Sequence, residues 1–327
     1  MTKSIKVAAI LLPALILQLV ITPGKAAATT KTGVHLLSTQ DLAHAKQLLA
    51  AKDGEHFVTI PLTFSDLNRH QQWQQFFDQC RQEQFAPIIR LATESQDGVW
   101  IKPNRRQIVQ MFEFLDSLDW PTEELYLIVF NEVNHAQEWG GEINPREYAR
   151  VLEFTSYWAR TEPREYVVLP AAMDLAAPNG PSTMEAFTYL DQMYQANPRV
   201  FDYIDLWNSH SYPNPGFSSS PVNQTKNSMR GFIHELNYLK RKTGRDLEVL
   251  ITETGWKANA ATLPWLDAYY LYAFQHIWSH PRVVGVTPFV VQGSPGPFAE
   301  FSFFDRDGEP TAQFKAFTEA LKTTASP

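Results

Sequence analysis

The stretch Leu125-Tyr-Leu-Ile-Val-Phe130-Asn131-Glu132 decides the fold. After Tyr126 it shows no polar alternation, which marks a strand buried on both faces, the kind found in parallel sheets. It ends on an amide and a carboxylate. A second run of this type, Leu247-Glu-Val-Leu-Ile-Thr252, ends on Glu253. A carboxylate at the C-terminal lip of a buried strand is poorly placed for packing. It is well placed for binding and catalysis, because α/β folds hold ligands at the carboxyl ends of their strands. Two of them point to a paired-carboxylate site.

Outward from these runs, strand and helix signals alternate along the chain. Expected strands cover residues 33–37, 56–62, 85–91, 125–130, 166–172, 203–208, 247–252 and 283–291. Helical stretches follow each in turn, with Ser38 capping the first and Asn144-Pro145 opening the fourth. Eight βα units in about 290 residues predict a single (β/α)₈ TIM barrel. A doubly wound sheet is the competing architecture, but the Gly-x-Gly-x-x-Gly phosphate loop is absent. Gly293-Ser-Pro-Gly296 reads as a turn, so no nucleotide cofactor is expected.

The first residues stand apart from this pattern. Lys3 and Lys6 precede an apolar stretch from Val7 to Ile21, then Ala26-Ala27-Ala28. That order predicts a signal peptide over residues 1–28, with the barrel domain over 29–327. The chain is therefore expected to be secreted, periplasmic or on the cell surface. A membrane contact arises only if this segment stays uncleaved as an anchor. Its loss takes three lysines and no acid, moving the formal charge from −7 to −10. Such an acidic balance argues against nucleic acid as a partner. With Cys80 the only cysteine, no internal disulfide exists and the core must hold the fold.

In a barrel, the strand ends name the site. They deliver His35 and Arg90 from strands one and three, Asn131 and Glu132 from four, and Asp174 beyond five. Strand six gives His210 and Tyr212, strand seven Glu253, and strand eight Gln292; Trp100, Trp139, Trp207 and Trp256 lie close by in sequence. Strands four and seven sit across the barrel from one another, so Glu132 and Glu253 can flank a bound sugar. Hydrolysis of a glycosidic bond requires such a pair: one carboxylic acid to protonate the leaving oxygen, one carboxylate to attack or to activate water.

Asn131-Glu132, His210-Ser-Tyr212 and Ile251-Thr-Glu253-Thr-Gly-Trp256 together resemble the glycoside hydrolases of clan A, a group of cellulases, mannanases, galactanases and related enzymes. The resemblance runs from strand three to strand eight. It implies a carbohydrate substrate, double displacement with retention and no metal or organic cofactor. It also implies Glu132 as acid/base, Glu253 as nucleophile and Asn131 as the partner of the sugar 2-hydroxyl. His210, Tyr212 and Arg90 would line the same subsite. Two positions depart from the family pattern. Its arginine commonly sits on strand two, where this chain has Thr59-Ile-Pro61. Its strand-eight tryptophan is replaced by Pro288-Phe-Val-Val-Gln292, leaving Phe289, Phe298 or no residue as the sugar platform.

Other readings of the same residues remain. Arg90 suits a binding role or a buried ion pair equally. Trp139 and Trp256 are expected to stack on sugar, whereas Trp73, Trp158 and Trp278 fall in helices and suit packing. Asp174 fits either a substrate contact or a helix cap. A metal site on His35, His135 and His210 lacks a recognised ligand spacing. A non-catalytic carbohydrate-binding barrel at the cell surface is the rival to an enzyme.

Overall fold

The structure is a computed structural model that describes residues 31–324. The expected signal segment lies outside these residues. Eight parallel strands form one sheet: β1 Lys31–His35, β2 His56–Leu62, β3 Phe85–Leu91, β4 Leu125–Val129, β5 Tyr166–Pro170, β6 Trp207–His210, β7 Val249–Glu253 and β8 Val283–Val286. Their order is β5-β4-β3-β2-β1-β8-β7-β6, so β1 pairs with β8 and the sheet curls on itself. Eight helices cover its outside: α1 Leu42–Leu49, α2 His70–Gln82, α3 Arg105–Asp116, α4 Pro145–Ala159, α5 Ala186–Ala196, α6 Gly231–Thr243, α7 Leu266–His276 and α8 Ala312–Thr324. This is the (β/α)₈ barrel that the strand–helix alternation predicts. Among the described residues, no helix is long and apolar enough to cross a membrane.

Strand alternation sorts the side chains between two cores. Phe57, Ala86, Ile88, Tyr126, Ile128, Leu169 and Leu250 fill the inside of the barrel. Their neighbours Val58, Ile89, Leu127, Val168 and Ile251 face the helices. Phe57 has room because Gly285 faces it from β8: a Cβ there would lie 2.4 Å from the Phe57 ring. Two residues above Ile88, the same parity carries Arg90 to the barrel mouth. Asn144 accepts from the Glu147 N–H with Pro145 at the first turn, as its sequence predicts.

The wall is weakest between β5 and β6, where side chains replace the ladder. Asp205 accepts from the Val168 N–H at 2.8 Å, and Asn208 Nδ2 donates to the Pro170 carbonyl at 3.1 Å. A single parallel bridge joins Asp174 to His210 above them. The expected sixth strand, 203–208, is displaced toward the mouth. Val200–Tyr203 forms a 3₁₀ turn and the strand starts at Trp207, because Asp205 spends its carboxylate and N–H on Val168. Asn208 is buried and also accepts from Thr252 Oγ1. Asn208→Ala therefore strands a carbonyl and a hydroxyl inside the wall. Equilibrium urea unfolding is expected to show a loss of about 2–4 kcal/mol, against less than about 0.5 kcal/mol for an exposed asparagine changed likewise.

Candidate active site

Three backbone irregularities aim the site. Phe130 and Glu132 both adopt positive φ, 70° and 29°, kinking the chain on either side of Asn131 as β4 ends. Non-glycine residues favour this region only where surroundings impose it. On β7 the register with β6 slips by one residue: Ser209 faces Ile251, but His210 faces Glu253. The extra residue, Thr252, forms a bulge of the kind that re-aims side chains beside active sites. From inward-facing Leu250, strict alternation would turn Glu253 outward. The bulge turns it in.

Glu253 is 8% exposed and surrounded by donors. Arg90 Nη1 donates to Oε1 at 2.7 Å and the Tyr212 hydroxyl to Oε2 at 3.1 Å. His210 Nδ1 lies 3.6 Å from Oε2 and His35 Nε2 3.5 Å from Oε1. Burial pushes the carboxyl up, yet His210, His35, Arg90 and the Tyr212 hydroxyl outweigh it and hold Glu253 down near about 2. His35 contributes as a neutral ring at neutral pH, since full burial drives its own value to about 3. The lasting source of charge is Arg90. Glu253 is thus ionised across the working range.

Glu132 occupies a different environment. Its side chain is 23% exposed, and Oε1 meets His210 Nδ1 at 2.8 Å. Burial would depress the His210 imidazole, but Glu253 and Glu132 together raise it. One ring nitrogen therefore hydrogen-bonds Glu132 and stands within ion-pair distance of Glu253. Ligand atoms of Glu132, His210 and Glu253 all lie within 4.8 Å of one another, the one group among the described residues able to gather round an ion. Arg90 already serves Glu253 and His210 serves Glu132, so the donor set suits proton chemistry better than a metal.

Arg90 does a second task. The same Nη1 donates to Asn131 Oδ1 at 2.8 Å, linking β3, β4 and β7 across the mouth. The arginine expected on strand two is thus supplied from strand three. On β2, Thr59 instead bonds Thr287 at 2.8 Å.

Two expected sugar contacts are corrected by the structure. Trp139 is 1% exposed, its indole donating to Glu147 while it packs on Phe130 and Tyr148. Trp256 is fully buried against Tyr269 and Tyr270, donating to the Ser219 carbonyl. Both are core residues with no face for a sugar, because polar-looking loops fold back over them. Trp207 is likewise buried. Phe289 stands at the end of strand eight, 5.1 Å edge-on from His35, and Phe298 lies 4.9 Å edge-on from Phe289. Phe298 is the more open ring, 40% exposed.

One residue escaped sequence reasoning. Glu138, in the loop after β4, accepts from Asn131 Nδ2 at 3.4 Å. Nothing in a short polar loop distinguishes that glutamate from a solvated one. His135 pairs with Asp174 at 2.9 Å, and Asp174 also accepts from the Ala176 N–H. Asp174 therefore braces the β4 and β5 loops together and does not cap α5. Gln292 donates to the Asp305 carbonyl and holds the loop after strand eight.

Comparison with known proteins now adds to the geometry. A family model described as glycosyl hydrolase catalytic core matches residues 102–317. No curated protein sequence matches the chain. Among solved structures, GH5_18 from Streptomyces cattleya in complex with GlcNAc superposes with a TM-score of 0.63 at 15% identity, covering 92% of this chain and 82% of that one. An endo-β-1,4-glucanase from Xanthomonas axonopodis pv. citri gives 0.57 at 12% identity, covering 91% and 100%. Xylanase 10B from Thermotoga petrophila RKU-1 in complex with xylobiose gives 0.54 at 10% identity, covering 91% and 96%. These likenesses are of fold, while the family match spans most of the barrel, including Asn131, Glu132, His210, Tyr212 and Glu253, and leaves out His35 and Arg90. The chain belongs to the glycosyl hydrolase catalytic-core family, on a TIM-barrel fold.

Proposed function

We propose that this glycosidase is a retaining hydrolase of β-linked oligo- or polysaccharides, with Glu253 as nucleophile and Glu132 as acid/base. The observation that carries the reading is the environment of the two carboxylates. Glu253 is buried, donor-bound and ionised, as an attacking oxygen must be. Glu132 is more open to solvent, where a leaving group departs and water enters. Oxygen atoms of the two lie within 4.8 Å. That fits the roughly 5–5.5 Å separation of carboxyl groups in retaining enzymes better than the ~6.5–9.5 Å that leaves space for an inverting water.

The steps follow from these contacts. Glu253 attacks the anomeric carbon as Glu132 protonates the departing oxygen, forming a covalent glycosyl ester. Glu132, now a carboxylate, draws a proton from water, which attacks the same carbon and frees Glu253. Asn131, held by Arg90, faces the sugar 2-hydroxyl. The site faces more carboxylates than cations, with Glu132, Glu138, Glu253 and Asp174 against Arg90 and the histidines. This balance favours neutral sugars over uronic acids. Export through the 1–28 segment remains part of the proposal.

Four results test this reading. Glu132→Gln and Glu253→Gln should each lower kcat by about 10³-fold or more while the far-ultraviolet circular dichroism persists. Near wild-type rates in either variant would place the chemistry elsewhere. A non-catalytic barrel would bind glycans with no turnover even in the wild type. Azide should rescue Glu253→Ala with an α-glycosyl azide as product; rescue of Glu132→Ala to an α-azide would reverse the assignments. Tyr212→Phe removes a donor that keeps Glu253 ionised, so the acidic limb of kcat/KM should move to higher pH. Phe298→Ala should raise KM by about three- to tenfold with kcat little altered, the loss of one aromatic face.

A further inference from the structure

Glu138 belongs to no step described so far, yet it faces the whole site. Asn131 is gripped at both ends of its amide. Arg90 donates to Oδ1 at 2.8 Å, and Glu138 accepts from Nδ2 at 3.4 Å. A flipped amide would set its NH₂ against the guanidinium and its oxygen against a carboxylate, so the two partners together select one orientation. That orientation leaves the second Nδ2 hydrogen for a ligand. The loop carrying Glu138 is itself pinned: Gly140 N–H donates to the Trp100 carbonyl at 2.8 Å and Ala136 N–H to Ser182 at 2.8 Å.

We propose that Glu138 is a positioning carboxyl of this site, clamping the Asn131 amide opposite Arg90. The electrostatics agree with the geometry. Burial and then the charge of Glu132 push Glu138 up to about 7, with Glu253 adding to the rise and Arg90 and the Asn131 hydrogen bond opposing it. His135 faces the same group and feels both Glu132 and Glu138. Lys102 approaches the loop at Gly140, but its ammonium is taken by Glu142 and Glu147, each at 2.7 Å. Partly buried and facing the charge of Glu132, Glu138 holds its proton to higher pH than a solvated glutamate would.

This rests on the glycosidase reading, so the experiment has one arm that does not. In ligand-free protein carrying ¹³C-labelled glutamate carboxyls, one resonance should titrate near pH 7. It should vanish in Glu138→Gln and move to lower pH in Glu132→Gln. The second arm is the pH profile of kcat/KM. Glutamine keeps an acceptor for Asn131 but not the proton, so Glu138→Gln should lose more activity at pH 7.5 than at pH 5, its alkaline limb moving to lower pH. Alanine also releases the clamp, so Glu138→Ala should fall about tenfold further at pH 5. A Glu138→Ala variant no weaker than Glu138→Gln at pH 5, or two variants with the wild-type profile shape, would overturn the proposal. So would a Glu138→Gln variant as dead at every pH as Glu132→Gln, which would make Glu138 the acid itself. Titration as expected without turnover of any glycan would instead fault the glycosidase reading alone.

Discussion

The Arg90 guanidinium is the contact on which the rest of the site depends. A carboxylate buried as deeply as Glu253 is strongly disfavoured unless a cation and hydrogen-bond donors meet it. Arg90 provides both and extends to Asn131, so one side chain ties three strand ends into a single geometry. Planar and permanently charged, it cannot lose its proton when the neighbouring carboxylates change state. The ionisation of Glu253 and the orientation of the Asn131 amide therefore share a cause.

Around that contact the mouth divides by environment. On the β7 side, Glu253 sits among His35, Tyr212 and His210 with little access to water. On the β4 side, Glu132 and Glu138 project from a kinked strand end and a loop, each only partly buried. Two glutamates of identical chemistry thereby meet opposite environments, the kind of separation by surroundings that carboxylate enzymes rely on. His210 spans the divide with one nitrogen.

Much of this was legible from the chain because the physics that forms a parallel barrel is local and repetitive. Strands two and three, His56–Leu62 and Phe85–Leu91, follow their apolar runs to the residue. The two strand-end glutamates stood out because a charge ending an apolar run has no packing role. Other features have no one-dimensional trace. The Thr252 bulge and the positive φ at Phe130 and Glu132 are tertiary outcomes, invisible in residue type. Trp139 and Trp256 misled because glycine-flanked loops look exposed until they fold over a ring. Strand six was displaced because Asp205 found a backbone partner in β5 that no periodicity encodes.

The central claim is that Glu253 attacks the sugar carbon. Intact mass after incubation with 2-deoxy-2-fluoro-β-glycosides of glucose, mannose, galactose and xylose, followed by peptide mapping, tests it most directly. The account predicts a one-to-one adduct on Glu253 with at least one of these sugars. A stable adduct on another residue, or a hydrolysis product of inverted anomeric configuration, would contradict it.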